Sequence, residues 1–242
     1  YPFTVRDCCL VVDGGGAIVI TSAARAKTLK KKPAYVLGTG DALSHANISS
    51  MPDLTVSAAA ESGPPAFKMA GIKHSDVKML SLYDAFTITP ILFVEDLGFC
   101  KKGEGGHFFE GGKTAPGGSN IPVNTSGGGL SYCHPGMYGL LVMIEAVRQV
   151  RGECGQRQVK NCDIALAHGT GGALGARHGS GTVIMETIFS LPGIGRELIT
   201  AVDGRDYPVV QSIAMIFGLI VVFFSFIGDL TGYLLDRRVT LS

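Results

Sequence analysis

Glycine is gathered along this chain into four clusters, at 14–16, 103–118, 127–129 and 169–181, and that placement restricts the fold more than any other feature. The 34 glycines among 242 residues are about twice the usual share of roughly 7%. Glycine without a Cβ reaches backbone conformations closed to other residues, so each cluster marks a sharp turn or a close approach to a ligand. No collagen-like or solenoid period links the clusters. What lies between them must therefore be short elements joined by tight turns.

The intervening segments alternate in kind. Val11–Val12, Ala17–Thr21 (AIVIT) and AYVLGTG read as strands, with a small-residue helix at Ala23–Lys32 between the last two. Asp53–Gly71 and His74–Lys78 bracket helical material expected to break at Pro64 and Pro65. MLSLYDAF reads as a strand leading into an apolar helix at 88–97, followed by a glycine-rich loop of about 20 residues. The pattern predicts an α/β fold with at least one crossover.

Charge removes some functions. The net charge is +1, from 21 basic and 20 acidic residues, so no field draws nucleic acid or an anionic surface. Lys30–Lys32 has no interleaved aromatics and reads as a solvated helix end. Cys8, Cys9, Cys100, Cys133, Cys154 and Cys162 show no metal-ligand spacing, and no secretory leader is recognised. Reduced, mostly buried thiols in the cytosol are expected, with no metal.

The last quarter differs in character. Residues 207–228, YPVVQSIAMIFGLIVVFFSFIG, hold 22 residues without a charge, enough to cross a hydrocarbon core of about 30 Å. Arg237 and Arg238 follow, which would leave the C-terminus in the cytoplasm.

Two glycine turns carry histidines. In SGGGLSYCHPG, Pro135 suits the first turn of a helix, and the segment after it is apolar nearly all round until Arg148, predicting a helix buried between layers. His134 then stands at a helix N-terminus, which favours its neutral, base-competent form. In NCDIALAHGTGG, a strand at 164–167 runs into a tight glycine turn with His168, and a return strand ends at 182–185. Two such turns fit a site assembled from loops at one end of a layered core.

Four ordered blocks over about 180 residues resemble the C-terminal half of the thiolase superfamily, in its acetyl-CoA acetyltransferase and sterol-carrier-protein-x branch: DCCLVVDGGGAIVITSAARA, YDAFTITPILFVEDLGFCKKGEGG, NTSGGGLSYCHPGMYGLLVMIEAVRQVRG and LAHGTGGALGARHGSGTVI. The resemblance implies a layered α/β fold over residues 1–182, a mixed sheet with a buried helix, and a site completed by an N-terminal half that the chain is expected to lack. It implies coenzyme A thioesters as substrate, no covalently bound cofactor, a cytoplasmic location and a homo-oligomer if the fold is complete. His134 matches the G-H-P histidine that serves as base. His168 takes the slot of the C-x-G cysteine that moves the α-carbon proton. Tyr83 and Asp84 open the block matching N-E-A-F or H-D-C-F, whose first residue positions an oxyanion-hole water, and tyrosine departs from both patterns. Gly128, Gly129, Pro135, Gly169, Gly171 and Phe86 are implied to line the thioester. The nucleophilic cysteine of the family has no counterpart here, since Cys8, Cys9 and Cys133 sit outside its motif and read as packing residues. Activity of the chain alone is not expected, and a non-catalytic acyl-CoA or lipid-binding module is the other reading.

Residues 186–242 resemble the end of a dipeptide/oligopeptide-type ABC transporter permease, through FSLPGIGR, RDYPVVQ and the closing D-L-x-x-x-L-L-D-x-R. With a single membrane segment, transport by this chain is not expected. The sequence divides at 182/183 on this reading, either through an accidental join or as a membrane-anchored fusion.

Overall fold

A computed structural model describes residues 2–45 and 47–171 and the backbone of Ser180 and Gly181. All belong to the first of two compact units, Tyr1–Phe189 and Ser190–Ser242. In chain order the regular elements are α1 (Ala23–Ala26), β1 (Asp41–Ala42), α2 (Ala59–Ala70), β2 (Met79–Leu82), α3 (Ile88–Asp96), α4 (Gly105–Phe109), α5 (Gly128–Ser131), α6 (Gly139–Arg151), β3 (Ala165–Thr170) and β4 (Ser180–Gly181).

The strands form one mixed sheet in the order β1-β4-β3-β2. β2 and β3 run parallel, with Met79 opposite Ala165 and Leu82 opposite His168. β4 is antiparallel to both neighbours, pairing Gly181 with Asp41 and with Gly169. A parallel pair needs a crossover, and the segment from α3 to α6 supplies it. With helices on both faces, β2 has no side chain in water, which is why M-L-S-L reads as an unbroken buried run.

The core gathers Leu80 and Leu82 of β2, Phe93 and Val94 of α3, and Tyr138 and Val142 at α6. Full burial of side chains of this size contributes about 1.5–3 kcal/mol each. Phe93 has no exposed surface, so its truncation to alanine would cost about 3–5 kcal/mol. α3 ends where Gly98 takes φ +82, and α6 ends at Gly152, φ +79, with Arg148 and Arg151 in its last turn opposing the helix dipole.

Several expectations are corrected. Residues 11–12, 17–21 and 34–40 form no strand among the described residues, because a strand exists only through a partner's backbone. Val11 and Val19 are 93% and 88% exposed, and the 8–12 stretch is held by isolated bridges from Cys8 to Phe86 and from Val11 to His134. The helix expected at 23–32 stops at Ala26, having one buried residue against which to pack. α2 runs through Pro64 and Pro65 without breaking. Both prolines are exposed, so the carbonyls of Ala60 and Glu61 that they leave unpaired sit near water. The long loop after α3 contains α4, whose first N–H (Gly105) donates to Glu95 Oε1 at 2.9 Å while Lys102 bridges Glu95 and Asp96. α6 begins at Gly139, beyond Pro135, and it is amphipathic in an unusual sense: Val142, Glu145, Ala146 and Gln149 are buried, while Leu140, Leu141, Met143 and Ile144 are half-buried. β3 continues through Thr170, so His168 lies in a strand. Among the described residues no helix is long and apolar enough to cross a membrane; the span expected at 207–228 lies outside them.

Candidate functional site

The site begins at the C-terminal end of β2. Residues 122–124 run along the edge of β2, with Leu80 N–H donating to Pro122 O and Leu82 N–H donating to Asn124 Oδ1 at 2.7 Å. Asn124 takes φ +49 and turns the chain into the glycine loop. Directly after β2, Tyr83 and Asp84 are buried, with Tyr83 N–H donating to His168 O at 3.0 Å.

Asp84 organises the loop. Its Oδ1 accepts Gly129 N–H at 2.6 Å and its Oδ2 accepts Leu130 N–H at 3.3 Å. A Cβ on Gly128, where φ is +68, would fall onto the Asp84 carboxylate, and one on Gly129 would come within 2.8 Å of His134 Cδ2. The two glycines are therefore thin enough to let the carboxylate and the imidazole close on the same backbone. Two effects compete at Asp84. Burial raises its pKa, the N–H donors lower it, and burial prevails, placing it at about 6.

His134 sits in an aromatic box. Tyr83 meets its ring edge-on at 5.3 Å, Tyr138 stacks against it at 5.7 Å and 20°, and the two tyrosines contact each other at 5.6 Å. Burial lowers the imidazole pKa, partly offset by a hydrogen bond to its own backbone. Neutral imidazole is therefore the form at neutral pH. The helix dipole expected to do this is not the cause, since α6 starts five residues later. Nε2 is buried and has no hydrogen-bond partner among the described residues, which leaves it for a proton carried by a substrate or a nucleophile.

The structure brings together Tyr83, Asp84, Gly128, Gly129 and His134, with half-buried Pro135 beside them. It places the others apart. His168 is 2% exposed with its ring edge-on to Phe93 of α3 at 4.6 Å, and burial pushes its pKa down to about 4. Gly169 pairs with Gly181 and Gly171 follows the strand. Phe86 is 47% exposed on the bridge to Cys8.

Of the thiols expected to pack inside, Cys8 is exposed, whereas Cys133 is buried. Cys9 is half-buried with its N–H on Ala85 O at 2.9 Å; burial, then the charges of Cys8 and Asp84, raise its pKa and disfavour the thiolate. Burial likewise pushes Cys154 and Cys162 up to about 11. No group of three or more His, Cys, Asp or Glu among the described residues is placed to hold a metal ion.

Two contributors escaped the sequence reading. Tyr138 stands four residues after His134, and that spacing was its only signal. Beneath the loop, Glu145 accepts from Thr125 Oγ1 at 2.6 Å and from Arg157 Nε at 3.1 Å, and Gln149 Nε2 donates to Thr125 at 2.8 Å. A glutamate in the middle of an apolar helix was the clue to this network.

Residues 40–187 match the family profile "Thiolase C-terminal domain-like", and residues 176–241 match "Binding-protein-dependent transport system inner membrane component". The chain is 39% identical to an acetyl-CoA acetyltransferase of Methanothermobacter thermautotrophicus over 72% of its own length and 46% of the relative's. It is 36% identical to the benzoylsuccinyl-CoA thiolase subunit BbsB of Thauera aromatica, covering 73% and 46%. A steroid side-chain-cleaving aldolase of Thermomonospora curvata is 32% identical, covering 70% and 44%. Among solved structures, an Ltp2-ChsH2(DUF35) aldolase aligns with a TM-score of 0.61 at 31% identity, covering 66% of this chain and 42% of that one. The chain spans about half the length of the curated relatives it matches.

Proposed function

We propose, since this chain belongs to the thiolase family through its C-terminal-domain-like region, that it supplies the base-bearing side of a site for carbon–carbon bond chemistry on acyl-CoA thioesters. The observation carrying this reading is the buried Nε2 of His134, unpartnered among the described residues, at the end of β2 between two tyrosines. A neutral imidazole held there can take a proton from an attacking thiol or from a substrate hydroxyl.

Tyr83 favours a second form of the same chemistry. In retro-aldol cleavage the base removes the β-hydroxyl proton, that carbon becomes a carbonyl, the Cα–Cβ bond breaks, and the electron pair passes to the thioester enolate, which is then protonated at Cα. No thiolate is needed, and a phenol can donate a hydrogen bond to the enolate oxygen. The steroid-cleaving aldolase and the aldolase structure among the relatives support this form.

The test mixes the full chain with a separately supplied N-terminal half of a thiolase relative, gives the pair an acyl-CoA plus free CoA, and separately a 3-hydroxyacyl-CoA, and follows thioester exchange and carbonyl release. His134→Ala is expected to lower whichever activity is present by about 10²- to 10⁴-fold. Acyl-CoA binding that is indifferent to His134→Ala, with neither product formed by the parent chain together with a folded N-terminal half, sinks this reading and leaves the binding module.

For the C-terminal segment, the match over 176–241 and the uncharged run at 207–228 support a membrane anchor. The chain is expected to stay in membranes through alkaline carbonate washing; release into the supernatant would remove the anchor.

A further inference from the structure

The first glycine cluster, Gly14–Gly16, has no role in the chemistry above, but it lies against the site. Residues 7–16 form a strap that touches each part of it in turn. At the start, Asp7 O accepts Thr87 N–H at 3.0 Å and Cys8 bridges to Phe86. Midway, Cys9 N–H donates to Ala85 O at 2.9 Å, Leu10 N–H donates to Gly129 O at 3.0 Å, and Val11 bridges to His134. At the end, Gly16 lies against Leu141 and Ile144 of α6.

The three glycines differ in what a side chain would meet. A Cβ on Gly14 would stand 2.7 Å from Cys133 Sγ, with Pro135 next at 3.6 Å, so it would press on the residues either side of His134. Cys133 is buried and reaches its sulfur through one rotatable bond, which leaves the sulfur little freedom to turn aside in a close-packed interior. A Cβ on Gly15 would have nothing within 4 Å. One on Gly16 would meet Ile144 Cδ1, the far end of a half-buried side chain that can change rotamer. None of the three has a positive φ, so alanine suits the backbone at each and only the neighbours distinguish them.

We infer that Gly14 is a positioning residue for His134: without a side chain it lets the strap lie directly on Cys133 and Pro135, and the strap fixes where the imidazole between them stands. Its consequence for activity rests on the reading of His134 as the base; its effect on the ring does not. The strap also helps to keep water from the imidazole, whose pKa burial holds below 6.5. The titratable groups around that ring are Tyr83, Tyr138, Cys133 and, across Gly129, Asp84. The last three glycine variants below leave all four in place, so these groups cancel in the comparison.

NMR titration of the full chain, labelled at histidine Cε1 and assigned with His134→Ala, tests this against Gly14→Ala, Gly15→Ala and Gly16→Ala. In Gly14→Ala the His134 midpoint should rise towards 6.5, while the other two titrate as the parent does. With the N-terminal half supplied, kcat of Gly14→Ala should fall by about 10²-fold with KM little changed, the effect of misplacing a catalytic group by about 1 Å. Adding Cys133→Ala to Gly14→Ala removes the colliding sulfur and leaves no atom nearer than 3.6 Å to the new Cβ, so the midpoint should return towards the parent's. Leu10→Pro deletes the N–H donated to Gly129 without crowding Cys133, and should shift His134 in the same direction as Gly14→Ala even if the latter does not fold. An unshifted histidine in Gly14→Ala or in Leu10→Pro overturns the inference, as does an equal shift in Gly15→Ala or a double variant that stays shifted. The expected titrations in a set of proteins that all lack activity would uphold the strap and remove the base reading instead.

Discussion

Between pH 4 and pH 7 the parent chain is expected to lose about 3 kcal/mol of stability that an Asp84→Asn variant does not lose. Asp84 is 2% exposed, and burial lifts it from 3.8 to about 6 despite the N–H groups of Gly129 and Leu130. At 1.36 kcal/mol per pH unit, a difference of about 2.2 gives about 3 kcal/mol. The sign follows from proton counting: between 3.8 and 6 the folded chain holds a proton that the unfolded chain has released, so stability falls as pH rises and is fully present below 3.8. Asparagine keeps an acceptor for Gly129 N–H and cannot ionise. Urea midpoints of the two proteins at pH 4, 5, 6 and 7 measure the difference, in which all other titrating groups cancel. Parallel profiles would mean that Asp84 is solvated and does not grip the loop. Since the same carboxylate holds Gly129, whose backbone abuts His134, the alkaline loss should appear first as loosening of the glycine loop.

Much of this arrangement was legible in the sequence, for reasons that can be traced to particular residues. Met79–Leu82 and Ile88–Asp96 announced themselves because their apolar runs have strand and helix lengths and are cut off by Tyr83-Asp84 and Gly98. The association of His134 with Gly128 and Gly129 was legible because glycine beside a histidine has a steric meaning. Elements that depend on distant partners were not. AIVIT has every local mark of a strand, yet pairing is a property of two segments, and Val19 and Ile20 find no partner among the described residues. His168 was assigned to a turn because glycine follows it, whereas the pairing of Gly169 with Gly181 carries the strand onward. Pro64 and Pro65 broke the helix on paper because sequence does not show which carbonyls face water. Tyr138 was invisible as a site residue because its role comes from the loop folding back against it.

Glu145→Ala is expected to cost about 3 kcal/mol, the largest loss from a single side chain away from the apolar core. Glu145 is 3% exposed and accepts from Arg157 at 3.0 and 3.1 Å and from Thr125 at 2.6 Å. Breaking a fully buried pair costs about 3–5 kcal/mol, and Arg157, with 35% of its side chain exposed, recovers part of that by hydration. Thr125 and Gln149 recover less, being left to satisfy each other. Because Thr125 opens the glycine loop, the variant should also loosen the backbone that carries His134. Burial alone would raise the pKa of Glu145, but Arg157 and Thr125 outweigh it and hold the carboxyl below 4.5. Its contribution is therefore present above 4.5 and is lost as pH falls through the folded value, the opposite sense to Asp84. The two carboxylates bound the stability profile from opposite sides, with Glu145 setting the acid side and Asp84 the alkaline side. Glu145→Gln, which preserves shape without the charge, should flatten the acid side and leave the alkaline fall unchanged. A variant that shifts both sides would show that the two networks act through one shared loop and not independently, and urea midpoints from pH 3 to pH 7 distinguish the two outcomes.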